Sequence, residues 1–71
     1  MTLHEMFRRN LRAAIKASGL TIKVVSYRAG YDYAYVRKVM GGAKSNPTLL
    51  FVESMAGAIG VPPQELLLRD P

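Results

Sequence analysis

The side chains best suited to chemistry lie together in one segment, "YDYAYVRKVMGG", at residues 31–42. It contains three of the chain's four tyrosines, two adjacent basic residues and a pair of glycines. Phenol, guanidinium and ammonium groups donate hydrogen bonds to phosphate oxygens and to the acceptor atoms of bases. The segment therefore favours recognition of a partner, unless its tyrosines belong to the hydrophobic core.

The charge is distributed unevenly along the chain, whose formal net charge is +5. Residues 1–44 hold nine of the ten Lys and Arg residues and only two acidic residues, whereas residues 45–71 hold one basic and three acidic residues. This asymmetry indicates a polyanionic partner. The alternative is a solvated basic surface without a function.

Length and composition argue against several classes of protein. Seventy-one residues suffice for one domain, residues 1–71, with a small core and no deep catalytic cleft, so we expect no enzyme. The chain has no Cys, one His and five scattered acidic residues, which predicts no metal site and no cofactor. No apolar run is long enough to span a membrane and the first residues do not resemble a signal peptide, so we expect a cytoplasmic protein.

The elements that must position these side chains are helices. Apolar spacing predicts three helices in the basic half, at residues 2–18, 21–29 and 32–40. In "TLHE", Thr2 and Glu5 can cap each other's backbone amides in a capping box. Thr21 and Asp32 are the expected N-caps of the next two helices, and Gly30 permits a sharp turn between them.

Two further helices are predicted after the polar loop "GGAKSN". In "NPTLLFVESMAGAIG", Asn46 is the expected cap, Pro47 occupies the first turn and Gly60 ends the helix. The prolines of "PPQELLLRD" open a short fifth helix. The fold class is therefore all-α, with five helices around one core. We expect that core to contain Leu11, Ile15, Val25, Ala29, Val36, Val39, Leu49, Val52, Met55, Ile59 and Leu66.

Residues 22–41 have the pattern of a helix-turn-helix. Two helices that cross steeply need a small residue at their contact, a glycine in the turn and an apolar residue facing back. Ser26, Gly30 and Val36 occupy these three places. Each signal is common by itself, but together with the Asp32 cap they indicate this motif.

Over about residues 7–68 the chain resembles the lambda-repressor-like family of helix-turn-helix DNA-binding proteins. "SGLT" looks like the start of the family's helix 2, "AGYD" like its turn and "YVRKVMGG" like its recognition helix, while "NPTLLFVESMAGAIGVPPQELL" is similar to helices 4 and 5. The resemblance implies a compact five-helix domain whose third helix lies in the major groove of double-stranded DNA. It also implies a sequence-specific transcriptional regulator, a repressor of phage, prophage or plasmid type.

The predicted DNA contacts centre on the third helix. Its periodicity turns Ala34, Arg37 and Lys38 outward, where the two cations can donate to guanine and Ala34 can contact a thymine methyl group. Matched to the family motif, Tyr33 falls on a base-reading position and Tyr35 on one that often donates to a phosphate. The alternative for each tyrosine is a ring that lies flat on the domain's own surface.

Residues around this helix have other predicted roles. Tyr31, just before the cap, is expected to pack as a hydrophobic staple. Lys44 lies in the loop after the third helix, and in the family this loop contacts DNA phosphates. Arg8, Arg9 and Arg12 on the first helix belong either to such a contact or to an ordinary solvated face.

The second helix departs from the family pattern. Ile22 stands where a glutamine commonly braces the recognition helix and contacts the backbone, while Lys23 can approach a phosphate. Val24 and Tyr27 are hard to explain as solvated residues and indicate a protein contact. The alternative function is therefore a protein-interaction module on the same fold, such as an antitoxin-like or co-regulator subunit.

A homodimer is expected because one module this small contacts only a few base pairs, and paired modules read a near-palindrome. Leu50 and Phe51 replace residues that are usually polar in the family, and Leu68 lies beyond the inward-facing leucines of the last helix. We predict an apolar dimer interface at these three residues. The alternative for Phe51 is that its ring folds over the core.

Overall fold

The computed structural model describes residues 2–42 and 47–68, and within them the chain is all-helical. It forms α1 (Leu3–Ser18), α2 (Ile22–Ala29), α3 (Tyr33–Met40), α4 (Leu49–Ile59) and a 3₁₀ helix (Pro63–Leu67). The all-α class is confirmed, but the predicted fifth α-helix is this short 3₁₀ helix. A five-residue segment can form very few i→i−4 hydrogen bonds, and runs this short often adopt the tighter 3₁₀ form. Among the described helices, none has the length and apolar character to cross a membrane.

The capping box at the start of α1 is confirmed. The Thr2 hydroxyl accepts a hydrogen bond from the Glu5 amide at 3.3 Å, and the Glu5 carboxylate accepts one from the Thr2 amide at 3.2 Å. The Thr2 hydroxyl and amide together hold the pKa of Glu5 below its ordinary value. The box is therefore strongest with Glu5 ionised, and it weakens as the pH falls through that lowered pKa.

The remaining helix starts agree with the sequence only in part. The Thr21 hydroxyl accepts from the Val24 amide at 3.1 Å, as predicted. Asp32 occupies the N-cap position of α3, but its side chain makes no capping hydrogen bond. Helix α4 begins later than predicted because the Thr48 hydroxyl accepts from the Phe51 amide at 3.0 Å. Asn46, the predicted cap, lies outside the described residues.

The turn between α2 and α3 is formed as the helix-turn-helix pattern predicts. Gly30 has φ +79°, a left-handed conformation that a side chain would strain. The Tyr31 amide then donates to the Ser26 carbonyl at 3.0 Å, which closes the turn. Ser26 is buried, and its hydroxyl donates to the Ile22 carbonyl at 2.7 Å, so the small polar side chain at the contact is satisfied.

One hydrophobic core lies between the helices, and most of its predicted members are buried. The buried predicted residues are Leu11, Ile15, Val25, Val36, Val39, Val52, Met55 and Leu66. Ala29 and Ile59 pack at the edge of the core. Leu49 was assigned to it wrongly: as the first residue of α4 its side chain is 81% exposed. The buried hydrophobic residues absent from that core list are Met6, Phe7, Met40, Phe51 and Ala56, although the periodicity of the third helix does turn Met40 inward.

Phe51 is the centre of an aromatic cluster inside the core. Its ring meets those of Tyr31, Tyr35 and Phe7 edge-on, with centroids 4.9, 5.7 and 6.2 Å away. The Phe51 side chain is 0% exposed, so it has no surface to offer a second copy. The prediction of Phe51 as a dimer-interface residue is wrong, because the small core needs this ring to fill the space between α1, α4 and the turn before α3.

Candidate nucleic-acid interface

Helix α3 presents one face to the core and the opposite face to solvent. Val36, Val39 and Met40 are buried, as the periodicity predicts. Ala34, Arg37 and Lys38 are exposed, so the helix displays two adjacent cations and a methyl group. These are side chains that can reach base edges and phosphates.

The end of α3 is held by the first helix. The Arg12 guanidinium donates from Nη2 to the Met40 carbonyl at 2.8 Å. A cation at this point also interacts favourably with the helix dipole. The Arg8 side chain lies beside Gly42, where an added Cβ would be 3.6 Å from the Arg8 Cζ atom. Arg12 is exposed, but one nitrogen of its guanidinium is held by this bond, which joins residues 28 positions apart and has no pattern in the sequence.

Tyr33 brings predicted contact residues of α2 and α3 together. The Lys23 Nζ atom lies over the Tyr33 ring, 5.6 Å from its centroid. The Arg37 Cζ atom lies over the same ring at 5.8 Å. Both distances fall within the range of cation–π attraction. Tyr33 is 37% exposed, so part of the ring also faces solvent.

Tyr31 and Tyr35 belong to the structure of the domain. Their rings stack with centroids 5.8 Å apart and an interplanar angle of 16°. Both pack against the core while remaining partly exposed. The structural role predicted for Tyr31 is confirmed, and the Tyr35 ring has a structural role as well. The contact between the Tyr35 hydroxyl and a phosphate remains a prediction.

Tyr35→Phe separates the two roles of this residue. The variant keeps the stacked ring and loses only the hydroxyl, so we expect the melting temperature to remain close to that of the wild type. Loss of a hydrogen bond to phosphate should weaken DNA binding by about 1 kcal/mol on every duplex alike. Titration of several duplexes checks this, and unchanged affinity on all of them would leave Tyr35 with its packing role alone.

The remaining residues predicted to contact DNA or a second copy lie outside α3. Ile22 lies half-buried against the core at the start of α2, and a contact between its exposed part and DNA remains a prediction. Lys44 lies outside the described residues. Leu50 and Leu68 are exposed, unlike Phe51.

An apolar groove lies on the side of the domain formed by the start of α1, the start of α4 and the 3₁₀ helix. Its volume is about 220 Å³. The residues that line it are Leu3, His4, Phe7, Pro47, Leu49, Val52 and Leu67. Beside the groove, the Asn10 side-chain amide donates to the carbonyls of Leu66 and Leu68, at 3.1 and 2.7 Å, and so holds the end of the 3₁₀ helix against α1.

Within residues 2–42 and 47–68, no group of three or more His, Cys, Asp or Glu side chains can hold a metal ion.

The fold is similar to that of a solved protein, described as the restriction-modification controller protein C.AhdI from Aeromonas hydrophila. The two chains share 31% sequence identity and superpose with a TM-score of 0.79. The match covers 86% of this chain and 91% of the other. No family model and no curated protein matches the sequence. Identity at this level over most of both chains indicates a common family as well as a common fold.

Proposed function

This chain belongs to the lambda-repressor-like family of helix-turn-helix DNA-binding transcription regulators, and we propose that it recognises a specific double-stranded DNA site through α3 and represses transcription as a homodimer. The observation that supports this best is the division of α3 into a buried apolar face and an exposed cationic face. Arg37 and Lys38 are exposed, while Val36 and Val39, which flank them in the sequence, are buried. A helix anchored in this way can enter a major groove without unfolding.

Repression follows from occupancy of the site. A bound protein that covers a promoter needs no catalytic residue and no cofactor. The likeness to a protein described as a restriction-modification controller supports a regulatory function. We favour a repressor of phage, prophage or plasmid type that acts in the cytoplasm, where such DNA is found.

Binding to duplex DNA can be tested by competition. A labelled mixed-sequence duplex is bound in the presence of an unlabelled duplex, the same single strand or heparin, over a range of salt concentrations. We expect the duplex to compete best and log affinity to fall linearly with log salt, because the cations of the interface release counterions. Equal competition by heparin and duplex would reduce the interaction to non-specific attraction between opposite charges and contradict the proposal.

The exposed leucines support a homodimer. Leu3 and Leu49 line the apolar groove, and Leu50 and Leu68 each follow a groove-lining residue in the sequence. All four are largely exposed, and an exposed apolar patch marks a site of protein contact. We propose that two copies bury this patch, called here the leucine patch, in an isologous contact.

Leu50→Lys should give a folded monomer, because it places a charge in the leucine patch and removes no buried group. The affinity for a two-fold-symmetric site should fall about a hundredfold or more as the linkage between two half-site contacts is lost. Sedimentation and DNA titration measure the two effects, and Leu50→Met, which keeps the patch apolar, is the control. A wild-type protein that stays monomeric at high concentration, with and without DNA, rules out the dimer.

The protein-interaction module remains a second candidate because of α2. Tyr27 is 86% exposed and Val24 is also exposed on the same helix. An acidic, partly apolar partner would suit this surface beside Lys23 and Arg28. Failure of the duplex to bind in the competition experiment, with the protein still folded, would favour this second function.

A further inference from the structure

The contact between Tyr33 and two cations is the only cation–π arrangement found among the described residues, and it joins both helices of the helix-turn-helix. Arg37 follows Tyr33 by one helical turn on α3, where side chains four residues apart are neighbours. Lys23 comes from the first turn of α2. The ring therefore gathers one cation from its own helix and one from the preceding helix.

The ring offsets an electrostatic cost. Two cations near the same point repel each other, and each side chain loses rotamer freedom when it is held in one place. The negative face of an aromatic ring attracts both. The Tyr33 ring thus favours conformations in which Lys23 and Arg37 are already gathered at the start of α3 before a polyanion arrives.

We propose that Tyr33 is a positioning residue for DNA recognition, whose ring holds Arg37 for a base edge and Lys23 for a phosphate. This inference rests on the proposed DNA-binding function and replaces direct base reading by Tyr33 with an indirect role. The ring is the necessary part, and the hydroxyl is not. The affinity for DNA is higher because Lys23 and Arg37, already held by the ring, lose less rotamer freedom when the complex forms.

The variants Tyr33→Phe and Tyr33→Leu test the ring directly. Phe keeps the aromatic face, so the variant should bind a specific duplex, obtained by selection from a random pool, as tightly as the wild type. Leu should lower the affinity about twofold to fivefold for each cation that the ring holds. Tyr27→Leu, which removes a more exposed tyrosine from α2, is the matched control and should leave affinity unchanged.

A double-mutant cycle separates positioning from a contact made by Tyr33 itself. Tyr33→Leu should cost about twofold to fivefold less in an Arg37→Ala background than in the wild type, because one of the held cations is already absent. Tyr33→Leu should also relax base preference at the position that Arg37→Ala relaxes. Additive effects, or altered preference at a different base pair, would overturn the proposal in favour of direct reading.

The free protein provides a readout that does not depend on DNA. The side-chain protons of Lys23 and Arg37 should show upfield ring-current shifts in NMR spectra of the wild type and Tyr33→Phe, and these shifts should vanish in Tyr33→Leu. If the shifts are absent while duplex binding persists, the inference fails and the proposed function stands. If the shifts are present but no duplex binds, the proposed function fails, and with it the role of the ring in recognition.

Discussion

Phe51→Ala should destabilise the domain by about 3–5 kcal/mol, the usual cost of truncating a fully buried phenylalanine. Its ring is 0% exposed and meets three other aromatic rings. A domain of this size has a total stability of only about 5 kcal/mol or slightly more, so the variant should retain at most about 2 kcal/mol and a measurable fraction of it should be unfolded. Urea denaturation followed by circular dichroism measures the loss.

The adjacent residue supplies the matched control. Leu50 is exposed on the same helical turn, so at protein concentrations low enough for a monomer Leu50→Ala should change the free energy of unfolding by no more than about 0.5 kcal/mol. The contrast between neighbours tests the assignment of Phe51 to the core and Leu50 to the surface. A Phe51→Ala protein as stable as the wild type would mean that the ring does not fill the core. Phe51 would then again be a candidate for the dimer interface.

The double variant Arg37→Ala, Lys38→Ala should lose most specific DNA binding while it keeps its fold. Loss of a guanidinium at a base edge costs about 1–3 kcal/mol and relaxes base preference at one position. Loss of a lysine at a phosphate lowers the slope of log affinity against log salt by about 0.9. Because both side chains are exposed, the helix content and melting temperature should change little.

Lys16→Ala is the control for charge alone, since it removes an exposed cation near the end of α1. It should weaken binding far less than the double substitution on α3. Affinity measured on one duplex by fluorescence anisotropy compares the three proteins. Equal affinity of the wild type and the double variant would exclude this face of α3 from the interface.

The parts of the fold that could be predicted are set by local chemistry. The Thr2 and Thr21 caps and the left-handed Gly30 depend on residues within a few positions of one another, so the sequence predicts them correctly. The inward face of α3 follows from apolar spacing alone. The wrong start of α4 also has a local cause, because two candidate caps, Asn46 and Thr48, lie close together and either can begin a helix.

The burial of α4 could be read only in part from its own sequence, which placed Val52 and Met55 in the core correctly and Leu49 wrongly. The helix is apolar at several adjacent positions, so periodicity does not decide which of them face inward. The observed inward face contains Phe51, Val52, Met55 and Ala56, because the rings of Phe7 and Tyr31 leave a place that an aromatic residue fills. Which residues of α4 face the core therefore depends on contacts between helices.

The candidate site was predicted as a set of residues but not as an arrangement. The exposure of Arg37 and Lys38 follows from helical geometry. The bond from Arg12 to the Met40 carbonyl and the position of Lys23 over Tyr33 depend on how α1 and α2 pack against α3. Neither contact leaves a pattern in the sequence, since each joins residues from different helices. Only the contact of Arg37 with Tyr33 has a local pattern, because the two residues are four positions apart on one helix.

Selection of bound fragments from a random duplex pool tests sequence-specific DNA recognition most directly. We predict enrichment of a near-palindrome whose half-sites are separated by about one helical turn of DNA, as expected for a dimer that places two copies of α3 in successive major grooves. The enriched duplex should bind the Arg37→Ala, Lys38→Ala protein much more weakly than the wild type. A folded wild-type protein that enriches no sequence after repeated rounds would contradict the proposed function.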